Sequence, residues 1–165
     1  MTEENAPGGP PEGIAIGPAT PDDRLDVLRV LDAAMLKTDA ETVDASIAAG
    51  DALVARFERT DAVVGALVPT RPDPHRLHVD AVAVRRARRG RGIGSALVAR
   101  AVRRAERDSG VNAVIAEFDP GLEGFYTDLG FDAAPAVGSD ESDRLRGRRR
   151  VGEGDDRANP DDRRG

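Results

Sequence analysis

LHVDAVAVRRARRGRGIGSALVARAV, residues 77–102, is the stretch whose reading decides the fold of this chain. It opens as an apolar strand from Leu77 to Val84. It then crosses a glycine-rich turn, Gly90-Arg91-Gly92-Ile93-Gly94-Ser95, and enters a helix directly. The spacing predicts that helix over about 92–108, with Ile93, Leu97, Ala101 and Ala105 on one face and Ser109-Gly110 closing it. Glycines let a backbone turn sharply and come close to a ligand. The first amides of a helix lack intrahelical partners and sit at the positive end of its dipole, so such a turn is an anion site. Arg88, Arg89 and Arg91 add charge around it. A diphosphate is the natural guest.

Outward from this segment the chain alternates strands and helices. Ile14 to Ile16 reads as a first strand. Thr20-Pro21-Asp22-Asp23 supplies a cap, a proline at the first helical position and acids in the first turn, ahead of a helix over about 21–36. A second helix is expected over 40–49, stopping at Gly50. Strands follow at 51–58 and 61–68, joined by a hairpin at Arg59-Thr60. The proline-rich TRPDPH, 70–75, is expected to be a loop. Beyond the central segment come a strand over 112–118 and a short helix started by Asp119-Pro120, with Leu122, Phe125 and Leu129 turned inward. Phe131 to Val137 and Arg144 to Val151 are expected strands, paired across the polar loop GSDESD. This order gives an α/β or α+β fold around one mixed sheet. The domain spans 13–151, between polar tails at 1–12 and 152–165 that are expected to be disordered.

Composition narrows the function classes. The 165 residues suit one ordinary domain. Cysteine is absent, which removes disulfides, thiolate nucleophiles and cysteine-based metal sites. No apolar run approaches the ~20 residues of a bilayer span. The N-terminus carries no secretory or transit pattern, and a cytoplasmic protein is expected. Net charge is −6, yet residues 83–107 hold arginines at 85, 86, 88, 89, 91, 100, 103, 104 and 107 against the single acid Glu106. One basic segment in an acidic body points to a local anion site. The alternative, a nucleic-acid surface, lacks the interleaved aromatics that stack single-stranded bases.

The turn is not a P-loop, because no lysine follows its glycines. It is not a dinucleotide fingerprint either, because Ser95 stands where the last glycine of GxGxxG would fall. What fits is R-x-x-G-x-G, as Arg89-Gly90-Arg91-Gly92-Ile93-Gly94, five residues beyond Val84. Downstream, Asp119-Pro-Gly-Leu-Glu-Gly-Phe-Tyr126-Thr-Asp-Leu-Gly130-Phe131 is similar to N-x-x-A-x-x-F-Y-x-x-x-G-F. Together these resemble the acetyl-CoA signature of the GNAT-superfamily N-acetyltransferases, over 76–131 closely and over 14–151 in element order. Asp119 replaces the family's Asn, Leu122 its Ala, and Arg86 the proline often found before the arginine-glycine run.

The resemblance implies an acyl-CoA N-acyltransferase-like fold, with a mostly antiparallel sheet flanked by helices. It also implies a donor site for acetyl-CoA and no metal. Amides of Gly90, Arg91, Gly92, Ile93, Gly94 and Ser95 would hold the diphosphate, with Arg89 and Arg91 beside it. The backbone of Val82 and Val84 would pair with the pantetheine arm, and an amide near Val84 would stabilise the oxyanion. Tyr126 would protonate the departing thiolate. For the base, Glu117, Asp80 and His78 all stay open, and Glu117 or Asp80 could instead hold a structural arginine. The expected acceptor is a small amine or a peptide amine, cationic rather than anionic. It would be drawn by the acidic body and by the loop Ser139-Asp140-Glu141-Ser142-Asp143. A non-catalytic CoA sensor is the alternative reading, and a homodimer is left open.

Overall fold

The computed structural model describes residues 10–36, 38–136 and 144–152. Seven strands form one mixed sheet in the order β1-β2-β3-β4-β5-β7-β6, flanked by helices. They are β1 (Ile14–Pro18), β2 (Leu53–Phe57), β3 (Ala62–Asp73), β4 (Arg76–Val84), β5 (Ala113–Phe118), β6 (Asp132–Pro135) and β7 (Leu145–Arg150). The helices are α1 (Arg24–Ala33), α2 (Ala40–Ala48), α3 (Ile93–Glu106) and α4 (Glu123–Asp128). The chain divides into two compact units, one of Met1–Thr70 with Val79–Ala101 and one of Arg71–His78 with Val102–Gly165.

In the first unit, Pro21–Asp23 forms a 3-10 turn before α1, and the Thr20 amide donates to Asp23 Oδ2 at 2.9 Å. Asp23 is only 5% exposed, a costly place for a carboxylate without partners. Arg56 of β2 meets it at 2.6 Å and so ties the start of α1 to the sheet. Val27, Val30 and Leu31 of α1 and Val43 and Ile47 of α2 share one core cluster with Val54, Val63, Ala66 and Val68. Full burial of side chains of this size stabilises by roughly 1.5–3 kcal/mol each. Strands β1 and β2 pair antiparallel from Ile14↔Phe57 to Pro18↔Leu53, and β2 pairs antiparallel with β3 through a bulge at Ala55/Arg56. At Gly65 of β3 a Cβ would meet Ala83 O, Ile93 Cγ2 and Leu97 Cδ1, each at 3.3 Å. The absent side chain is what lets α3 settle against this strand.

The expected loop at 70–75 is shorter than its prolines suggest. Strand β3 runs through Pro72 to Asp73, and the reversal is confined to Pro74 and His75. The Asp73 carboxylate closes it, accepting from the His75 amide and from Arg76 Nε, both at 2.8 Å. Side-chain capping of this kind tightens a turn without further residues.

In the second unit, β7 pairs antiparallel with β5, from Ala113↔Arg150 to Phe118↔Leu145, and with β6, from Asp132↔Arg148 to Pro135↔Leu145. The expected partner strand is therefore inserted between β5 and β6. One expectation is corrected here: Leu122 is not inward but 46% exposed, while Tyr126 is 4% exposed. Residues Pro120–Leu122 form a 3-10 turn. That turn advances about 120° per residue rather than 100°, which moves Leu122 off the face read with α-helical spacing. The expected tails fall mainly on residues 1–9 and 153–165, outside the described residues, although Pro11 O already accepts from the Ile14 amide at 3.1 Å.

Candidate functional site

In the first unit, β4 leads through a 3-10 turn at Arg86–Arg88 to the glycines. Gly90 (φ 79°) and Gly92 (φ 87°) are left-handed, a conformation open to glycine at little cost. A Cβ at either would meet nothing within 4 Å, so conformation, not crowding, selects glycine and the turn is open. The Ala96 amide donates to Gly92 O at 3.0 Å, which makes Gly92 the last residue before α3. Helix geometry then leaves the amides of Gly92, Ile93, Gly94 and Ser95 without intrahelical acceptors. The predicted face of the helix is correct: Ile93, Leu97, Ala101 and Ala105 are 1%, 0%, 2% and 4% exposed. With that face packed, the helix start is fixed relative to the strand before it.

The arginines around this turn have neutral partners. Arg85 Nε donates to Val63 O at 3.1 Å and Arg89 Nε to Val84 O at 3.0 Å. The Arg88 guanidinium lies over the Phe57 ring, 3.9 Å from its centroid. Arg86 and Arg91 are exposed. None of the five meets a carboxylate among the described residues. Four helix-start amides without intrahelical acceptors, and cations that meet no carboxylate among the described residues, suit a diphosphate at this open turn.

Along β4, Val79, Ala81 and Ala83 are buried, while Val82 and Val84 are half-buried on the alternate face. Asp80 shares that alternate face and is exposed. As a base candidate Asp80 is therefore solvent-accessible, and no described arginine pairs with it.

In the second unit, α4 carries Tyr126, the only tyrosine of the chain, into an aromatic cluster. Its ring stacks on Phe118 and meets Phe125 and Phe131 edge-on, with centroids 4.9 and 5.4 Å away. Burial pushes the phenol above its ordinary acidity range, and the positive charge of Arg144 opposes the rise. No described residue hydrogen-bonds the phenol. Arg144 is held by Asp119 Oδ1 at 3.2 Å and Glu117 O at 3.0 Å. Asp119 therefore starts the helix through its backbone carbonyl, which accepts from Leu122, while its carboxylate is turned to Arg144. Glu117, half-buried, pairs with Arg146 at 3.1 Å. Arg144 and Arg146 are the site neighbours that sequence reading missed. Their alternation along a strand opposite Glu117 was the available signal.

Residues 27–131, well over half the chain, match the acetyltransferase (GNAT) family. The chain belongs to that family, and it is an acyl-CoA-dependent N-acyltransferase. No curated protein matches it in sequence. Among solved structures it is similar to Ard1 from Thermoplasma volcanium, at 21% identity and TM-score 0.70, covering 86% of this chain and 99% of that one. Arabidopsis thaliana Naa50, in complex with the bisubstrate analogue CoA-Ac-MVNAL, aligns at 16% identity and TM-score 0.68, covering 83% and 98%. N-acetylglutamate synthase from Neisseria gonorrhoeae, complexed with coenzyme A and N-acetyl-glutamate, aligns at 16% identity and TM-score 0.64, covering 84% and 35%. At these identities the likeness is one of fold. Among the described residues no helix is long and apolar enough to cross a membrane. Nor do any three His, Cys, Asp or Glu side chains lie placed to hold a metal.

Proposed function

We propose that this protein transfers an acetyl group from acetyl-CoA to the primary amine of a small cationic molecule or basic peptide, by direct attack in a ternary complex. Residues 13–151 act as one transferase domain. The observation that carries the donor half is the open glycine turn leading into α3, with five arginines beside it that meet no carboxylate among the described residues. Bound acetyl-CoA supplies a thioester carbonyl activated for acyl transfer.

The chain's own residues do the rest. The turn at Gly90, Arg91 and Gly92 and the first amides of α3 through Ser95 hold the diphosphate, with Arg89 and Arg91 at its sides. Arg89 is braced for this by its bond to Val84 O. The backbone of Val82 and Val84 aligns the pantetheine arm, and the Val84 amide donates to the thioester oxygen, where negative charge grows in the transition state. Burial keeps Tyr126 protonated, so its Oη can donate to the departing sulfur. Glu117 takes the proton of the attacking amine, with Asp80 as the second candidate. Arg146 orients the Glu117 carboxylate.

Net charge of −6 favours a cationic acceptor, because a negative field raises the local concentration of cations. The acidic loop 139–143, invoked for the same reason, lies outside the described residues. The test is an acceptor screen that follows free CoA thiol with polyamines, aminoglycosides, basic and acidic peptides and amino acids, at low and high salt. Polyamines or basic peptides should react fastest, with rates that fall as salt rises. Faster reaction with an acidic or neutral acceptor would overturn the acceptor assignment. Tight CoA binding without thiol release from any amine would make the protein a sensor instead.

A further inference from the structure

We propose that Arg88, stacked on Phe57, forms a phosphomonoester subsite, so that the donor site selects a coenzyme bearing a third phosphate outside its diphosphate. This rests on the donor reading above and adds to it a determinant of donor choice.

The first argument is charge. A diphosphate diester carries two negative charges. The helix-start amides together with Arg89 and Arg91 answer both. Arg85, Arg86 and Arg88 remain, and none of them meets a carboxylate among the described residues. Five guanidinium groups within seven residues repel one another, and an anion beyond the diphosphate relieves that repulsion. Coenzyme A carries such an anion in its ribose 3′-phosphate, a monoester with close to two negative charges near neutral pH.

The second argument is geometry, and it distinguishes Arg88 from its neighbours. Arg85 and Arg89 each use their Nε on a backbone carbonyl. Arg86 is exposed, with no described partner to fix its side chain. Arg88 is fixed through the flat face of its guanidinium, 3.9 Å above the Phe57 centroid, a contact that consumes no N–H. Among the described residues nothing takes its five donors, which lie at the rim of the group in the planar fork that matches phosphate oxygens. Its platform is held in turn, since Phe57 ends β2, is half-buried and pairs with Ile14 of β1. A side chain ordered before the ligand arrives loses less entropy on binding. Arg88 also lies only four residues before Gly92, within the same turn.

The test is calorimetry with CoA and 3′-dephospho-CoA, which needs no acceptor. Wild type should bind CoA about tenfold or more tightly than the dephospho form, as expected for charged hydrogen bonds to one phosphate. Arg88→Gln should lose that preference chiefly by weakening CoA, and Arg86→Gln should keep it. Phe57→Leu, which leaves the charge but removes the platform, should fall between. If Arg88→Gln does not fold, Arg88→Lys replaces it and should lose most of the preference, because a lysine presents no planar fork. Equal affinity of wild type for the two ligands would overturn the subsite while leaving the donor reading intact. A preference undiminished in the Arg88 variants would reduce the Phe57 contact to a structural one. Binding of neither ligand would remove the donor reading, and the subsite with it.

Discussion

The ring of Tyr126 lies on the ring of Phe118, with centroids 4.2 Å apart and planes 13° from parallel. Phe118 ends β5 and Tyr126 sits in α4, so this stack fixes the phenol against the sheet. Phe125 and Phe131 close two further sides. Three of the chain's four phenylalanines thus surround its one tyrosine.

That arrangement has a spectroscopic consequence. The chain has one tyrosine and no tryptophan, so near-ultraviolet tyrosinate absorbance titrates Tyr126 alone. Burial raises its pKa above 10.0, and Arg144 works against the rise. The midpoint should therefore lie above that of a free tyrosine, and Arg144→Gln should move it higher still. Because the folded value is the raised one, the contribution of Tyr126 to stability is fully present below pH 10.0 and is lost as pH climbs from there through the folded midpoint. A midpoint at or below the ordinary value would show that the phenol is not buried as described.

Tyr126→Phe keeps the stack and removes only the proton. If Oη protonates the leaving sulfur, turnover should drop roughly a hundredfold, a typical share for general acid catalysis. Affinity for acetyl-CoA should stay nearly constant, since the interaction belongs to the transition state. The measurement is kcat against acetyl-CoA affinity for the two proteins, with the best acceptor from the screen. Equal turnover would return Tyr126 to a packing role.

Asp23 makes a separate claim about stability. Burial pushes its pKa up, but the Thr20 amide and the Arg56 guanidinium outweigh that and hold it below 3.8. The folded value is the lowered one, so the stabilisation is fully present above pH 3.8 and is lost as pH falls through the folded pKa. Asp23→Ala should cost roughly 1.5–3 kcal/mol near neutral pH, the range for hydrogen bonds to a charged group. It should also flatten the acid limb of a stability–pH curve. Unfolding in urea across that range checks both.

Gly65→Ala tests how α3 is seated. The added methyl would press on Ala83 O, Ile93 and Leu97 at 3.3 Å, and overpacking of this kind costs roughly 1–3 kcal/mol. Since Ile93 opens α3, CoA affinity should fall along with the melting temperature. Lowered stability with unchanged CoA affinity would mean that the turn is positioned independently of this contact.

Much of the fold could be read from periodicity. The face of α3 follows from Ile93, Leu97, Ala101 and Ala105, and the end of α2 follows from Gly50 (φ 78°), whereas α3 stops at Glu106, short of Ser109-Gly110. The donor turn was legible because glycine at Gly90 and Gly92 reports a backbone conformation directly. What stayed hidden depends on pairing between distant residues. No local pattern says that β7 inserts between β5 and β6, or that Arg56 reaches back to Asp23. Leu122 was misplaced because a 3-10 turn and an α-helix begin with the same residue types. Asp80 and Glu117 look alike in sequence, yet one is exposed and the other pairs with Arg146.

The most direct test of the central claim is calorimetric titration of acetyl-CoA into wild type and Gly92→Asp. Gly92 sits at φ 87°, where most side chains are strained, and a carboxylate there would stand against the phosphates. Wild type should bind acetyl-CoA at one site and Gly92→Asp should show no measurable binding while remaining folded. No binding by wild type, or equal binding by a folded Gly92→Asp, would contradict the assignment of this turn as the donor site.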